Sequence, residues 1–230
     1  MLNLLWKEWH EQSWKLGFSC IVLGTLTLIG LHSRIIADEA VDMWVCCIGL
    51  VMLPILSSTG LLPAERADGA FESLIALPVS PRRILLAKTL MGILLCAGPI
   101  LLAALVTHFT VADRELSEAT MFSLYFRSTL ASISLFIWMQ ALTARLPNET
   151  RAGLLAVGIL ILWLMITGSL DLAQNPLAVC AMTLSPLGFV FGYSTGFVGM
   201  PPLIVFLCVQ ALALTLLWFV TSKRFVDATE

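Results

Sequence analysis

The sequence predicts an all-α integral membrane protein with six transmembrane helices, and three observations carry that prediction. Hydrophobic residues make up 59% of the 230-residue chain, charged residues only 12%, and the mean hydropathy is +0.94. Soluble domains hold roughly 45–50% apolar and about 25% charged residues. The apolar residues gather into six runs near the ~20 needed to cross a bilayer core as a helix. The scarce basic residues fall mostly in the connectors, with a strong bias to one side. These features exclude a disordered chain, a coiled coil and a water-soluble globule. They leave a single transmembrane domain expected over residues 1–230, with little of the chain remaining for a soluble one. A net charge of −2 gives no reason to expect a nucleic-acid partner.

The chain opens with LNLLWKEWHEQSWK at residues 2–15. Leu2, Leu5, Trp9 and Leu16 follow helical spacing, and Trp6 and Trp14 widen that face. Lys7, Glu8, Glu11 and Gln12 lie mostly elsewhere. Tryptophan favours the headgroup level, so residues 1–15 read as an interfacial helix, or as the start of the first span. With charges at Lys7, Glu8, Glu11 and Lys15 and no small-x-small site after the first apolar run, the chain is expected to keep its N-terminus. The spans are placed at residues 16–31, 43–62, 89–109, 121–144, 152–170 and 203–221.

With the N-terminus in the cytoplasm, ten of the 13 basic residues fall inside: Lys7, Lys15, Arg66, Arg82, Arg83, Lys88, Arg145, Arg151, Lys223 and Arg224. Arg34 and Arg114 fall outside, with the acids Asp38, Glu39, Asp42, Asp113, Glu115 and Glu118. Both termini are therefore expected to be cytoplasmic. Arg127 is the one clear charge within a span. It is a candidate for the transport pathway, or a residue that snorkels to the nearby outer surface.

Two connectors carry pattern. In residues 63–88, PAERADGAFESLIALPVSPRRILLAK, Glu65, Asp68 and Glu72 fall at i, i+3, i+7 on one helical face, while Phe71, Leu74 and Ile75 occupy another. Pro78 stops that helix. Ser80-Pro81 opens the next, with Arg82, Arg83 and Lys88 near the membrane surface. Such an amphipathic segment (63–84) suits a groove in another protein, or is a loop whose carboxylates face water. Residues 171–202 are apolar but interrupted by Pro176, Pro186, Pro201 and Pro202. Gly188, Gly192 and Gly196 give two successive GxxxG spacings, which permit close helix approach. A re-entrant segment before the sixth span, or a surface loop, fits this pattern.

Catalytic and metal motifs are weak. Gly192 to Gly196 matches GxSxG, but that elbow needs a strand-turn-helix context and a later histidine, and His10, His32 and His108 all come earlier. No lysine follows a glycine, so the phosphate-binding GxxxxGK[ST] is absent. No His/Glu set has metal-ligand spacing, so neither a catalytic residue nor a metal is expected. The six cysteines lie in apolar stretches without a CxxC pair and read as packing residues. Asn148-Glu149-Thr150 matches the glycosylation sequon but is expected inside and unmodified.

At residues 65–88 the chain resembles membrane subunits of type 2 ABC exporters. The matching residues are Glu65, Arg66, Gly69, Glu72, Leu74, Pro78, Ser80, Arg82, Arg83 and Lys88, and the six-span layout agrees. The resemblance implies that this segment is a coupling helix docking on a separate ATPase subunit, which binds the ATP and Mg. Phe71 and Leu74 would fill that partner's groove, and Glu65 and Glu72 would meet its donors. It also implies pairing with a second permease chain, a pathway between the two, and gate candidates at Arg127, Gly188, Gly192 and Gly196. The bilayer expected is a bacterial inner membrane. The Asp68 to Leu74 stretch is also similar to the haem-exporter membrane subunit of cytochrome c maturation. A non-transporting assembly protein, an intramembrane enzyme and a secondary transporter are rival classes. The last two would need clustered polar groups or acids within the spans.

Overall fold

A computed structural model of the chain describes residues 2–33, 37–67, 69, 79–110, 118–144, 146, 148–171, 176–190 and 202–227. The described residues are helical with short connectors. They form α1 (Leu2–Ser33), α2 (Asp38–Leu61), α3 (Pro63–Ala67), α4 (Pro81–Thr110), α5 (Glu118–Thr143), α6 (Glu149–Asp171), α7 (Pro176–Leu184) and α8 (Leu203–Asp227). Six helices are long and apolar enough to cross a membrane, one for each span read from the sequence.

Local chemistry explains several boundaries. Pro63 cannot donate its backbone nitrogen, so α2 stops at Leu61 and, after Leu62 alone, α3 starts at Pro63, with the Leu62 carbonyl accepting from Arg66 N at 3.2 Å. Pro81 occupies the first position of α4, as Ser80-Pro81 predicts, and the Ser80 carbonyl accepts from Arg83 N at 2.9 Å. At α6 the sequon asparagine is a helix cap: Asn148 Oδ1 accepts from Thr150 N at 2.8 Å. Pro54 and Pro99 sit inside α2 and α4, as neighbouring helices in a membrane bundle permit.

The six long helices alternate in direction. At one end Leu62, Leu85, Ala144 and Phe225 pack together, which brings the end of α2, the start of α4 and the ends of α5 and α8 to one place. Leu4 joins Ile84 and Ala87 beside them, so the start of α1 lies at this end too. At the opposite end Leu31, Val41 and Met121 share the main core with Tyr125 and Phe136. A second core gathers Leu135, Met139, Ala156, Leu187 and Phe206 from α5, α6, α8 and the turn after α7.

The expected boundary near residue 15 is absent. α1 runs unbroken for 32 residues, about 48 Å at 1.5 Å per residue, against a hydrocarbon core of ~30 Å. It lies lengthwise along α4: Leu4 meets Ile84, Glu8 meets Lys88, Leu16 reaches Gly98 and Leu102 reaches Gly24. The amphipathic start is therefore the first half of a helix parallel to α4, not a separate helix lying across it. Its polar residues have a neighbour to face, which is why the helix does not turn.

The helices approach closely where small residues allow. A Cβ built on Gly92 of α4 would lie 2.0 Å from Cζ of Phe136 on α5, so the ring occupies the space of the missing side chain. Between the two ends, buried Cys46 and Cys96 pack in the main core, as the sequence reading expects, while Cys47, beside Cys46, faces outward.

Candidate functional site

Where α1, α3 and α4 meet, the bundle buries a cluster of charge. Lys88 is 0% exposed, and so is Glu8. Lys88 Nζ donates to Glu8 Oε1 at 2.8 Å and to Glu65 Oε1 at 2.5 Å. Lys7 lies 3.9 Å from Glu65 Oε1 and 3.2 Å from Glu11. One turn further along α1, Lys15 Nζ donates to the Gly60 carbonyl at 3.4 Å. The sequence builds this simply. Residues four apart share a helical face, so Glu8 and Gln12 point into the bundle together, and both are buried. Lys88, seven residues into α4, has a stem flanked by buried Leu85 and Ala87. Burying one ammonium against two carboxylates is sustainable because the charges are paired at hydrogen-bond distance.

This geometry changes three sequence expectations. Lys88 is not a surface cation; it is enclosed between two carboxylates. Glu65 does not face outward toward a partner: its side chain is 12% exposed and bonded to Lys88. And α3 ends at Ala67, with Gly69 at φ +72°, so the helix that carries Glu65 does not run on through residue 69; Asp68 lies outside the described residues. That left-handed φ is nearly free for glycine and costly for other residues. Arg66 is partly buried beside Glu65 in α3, and Gly69, Arg82 and Arg83 are exposed. Phe71, Glu72, Leu74 and Pro78 lie outside the described residues.

The cluster also gathers a donor set that no local spacing announces. Carboxylate oxygens of Glu8, Glu11 and Glu65 come within 4.8 Å of one another. The Lys88 ammonium already supplies a cation there, touching two of the three.

At the opposite end a second polar cluster is buried. Asp42, expected in a solvated outer loop, is 1% exposed within α2 and accepts from Tyr125 OH at 2.8 Å. The Thr107 hydroxyl lies 3.0 Å from the same phenol. Asp42 is thus a buried acid within one of the long apolar helices, where the sequence reading named Arg127 as the one clear charge. Among the gate candidates, Arg127 is partly buried on α5, next to exposed Phe126. Gly188 is a packing position: a Cβ there would lie 2.2 Å from the Met182 carbonyl and 3.2 Å from the Phe206 ring. The adjoining Phe189 ring meets Phe206 edge-on at 4.8 Å. Gln210 of α8 donates to the Thr183 and Ser185 carbonyls at 2.6 and 2.9 Å, satisfying groups left open at the end of α7. Within 171–202, residues 172–175 and 191–201, and so Gly192 and Gly196, lie outside the described residues.

No protein-family model matches this chain, and no curated protein matches it.

Proposed function

We propose that the chain is the membrane-spanning subunit of an ATP-driven ABC exporter, working as a pair with a second permease chain and coupled to a separate ATPase that binds ATP and Mg. The start of α1 and the end of α8 are cytoplasmic in this reading, in a bacterial inner membrane. Residues 68–78 are the segment that docks on the ATPase, through Phe71, Glu72 and Leu74.

One observation supports it above the rest. The helix leading into that segment, α3, is tied through Glu65 to Lys88 and through Lys88 to Glu8. A displacement of the segment is thereby passed to α1 and α4 together. Both helices exceed the bilayer core in length, so a push at their protruding ends tilts the spans. A loop that merely joined two spans would not need a buried ammonium to fix its root. Lys88 is not a partner contact in this mechanism; it is the pin that joins the moving parts.

The test is affinity purification of the tagged chain from membranes of its native host. An ATP-hydrolysing protein bearing GxxxxGK[ST] is expected to copurify. Glu72→Arg is expected to insert normally and lose it. Equal recovery with Glu72→Arg, or no such ATPase with the unaltered chain, overturns the reading.

A further inference from the structure

Between the first turns of α1 and the first half of α4 lies an open apolar groove of about 590 Å³, lined by Leu5, Trp6, Trp9, Leu90, Met91 and Leu94. We infer that this groove holds an acyl chain of an anionic phospholipid whose headgroup is met by Arg83 and Arg82. The inference rests on the groove and its charges and does not depend on the ATPase reading.

Volume and lining fit a hydrocarbon occupant. Ligand sites span roughly 300–1,000 Å³ and are mostly apolar, and here every lining side chain is apolar or tryptophan. Trp6, Trp9, Leu90 and Leu94 are exposed in the chain by itself. Tryptophan settles where apolar tails meet headgroups, which fixes the groove's depth at that boundary. Charge selects the headgroup. Arg83, Leu90 and Leu94 stand seven and eleven residues apart in α4, which places them on one helical stripe. Arg83 sits about 10 Å from Leu90 toward the helix start, and side chains lean that way. Arg82 flanks it, and both arginines are exposed. The acids on the α1 side of the groove do not offset them: Glu8 is turned inward onto Lys88, and Glu11 is paired with Lys7. A chain in the groove thus leads its phosphate to two open guanidinium groups.

The experiment uses the full chain in nanodiscs of phosphatidylglycerol and phosphatidylcholine with brominated acyl chains. Native mass spectrometry reads the retained lipid, and fluorescence quenching lost in Trp6→Phe/Trp9→Phe reads groove occupancy. Phosphatidylglycerol is expected to be retained over phosphatidylcholine. The preference should fall about fivefold for each arginine removed, in Arg83→Gln and then Arg82→Gln/Arg83→Gln, since one juxtamembrane charge is worth ~1 kcal/mol toward anionic lipid. Leu94→Trp fills the groove and should reduce retention of both lipids. Equal retention in the unaltered chain, a preference unchanged by both arginine substitutions, or a groove covered by a second chain without bound lipid overturns the proposal.

Discussion

Replacing Lys88 with methionine removes the ammonium but keeps most of the stem, so the cavity is small and the loss is electrostatic. Glu8 and Glu65 then face each other with carboxylate oxygens within 4.8 Å. At an effective dielectric of ~20 their repulsion is about 3.5 kcal/mol. Alternatively one carboxylate binds a proton, which at pH 7 costs about 3.7 kcal/mol for a group that ordinarily titrates near 4.3. Both routes agree with the ~3–5 kcal/mol seen when one partner of a buried pair is removed. Lys88→Met is therefore expected to lose about 3–4 kcal/mol at pH 7 in equilibrium unfolding from mixed micelles. The sign with pH follows. The folded variant holds a proton that the unfolded chain releases above pH ~4.3, so its folded state gains as pH falls. By pH 5 the protonation cost is only ~1 kcal/mol. Truncating the half-exposed Lys7–Glu11 pair should cost about 0.5 kcal/mol or less. A Lys88→Met loss below 1 kcal/mol at pH 7, or one that does not shrink toward pH 5, would refute the reasoning.

Two further outcomes test the packing. Gly92→Ala places a methyl against the buried Phe136 ring and should cost about 1–3 kcal/mol by overpacking; Phe136→Leu in the same chain should recover part of the loss, read by unfolding in the same micelles. Tyr125→Phe takes the donor from buried Asp42 Oδ1 and should cost about 1–3 kcal/mol, whereas Tyr125→Phe/Asp42→Asn should cost less than the sum of its single substitutions.

The six long apolar helices were legible because their signal is local: about 20 apolar residues in a row require no knowledge of neighbours. Ser80-Pro81 was equally legible, since a cap and a prefixed φ act within one turn. The length of α1 was not. A hydropathy window stops where Lys15 and Glu11 begin, but the backbone carries its hydrogen bonds onward wherever an adjacent helix covers the polar face, and α4 does so from Ile84 to Leu102. Lys88 and Asp42 misled for the same reason. Each looks like a surface charge beside its own neighbours; the partners that permit burial, Glu8 at 80 residues' separation and Tyr125 at 83, are brought together only by the fold. The turn at Gly69 escaped because glycine tolerates both helical and left-handed backbone, so its presence did not break the i, i+3, i+7 pattern from Glu65 to Glu72.

The central claim is that the Glu8–Lys88–Glu65 cluster carries movement from residues 68–78 into α1 and α4. Its most direct test is hydrogen–deuterium exchange on the chain copurified with the ATPase proposed as its partner, with and without ATP. The apolar variant Glu8→Leu/Glu65→Leu/Lys88→Met keeps the packing and should fold as well as the unaltered chain, since replacing a buried ion cluster with hydrophobic residues is often neutral or stabilising. In the unaltered complex, ATP is expected to change protection in peptides covering 2–15 and 81–90. In the apolar variant the ATPase should still copurify and those changes should vanish. Persistence of the ATP-dependent changes without the charged cluster would contradict the account.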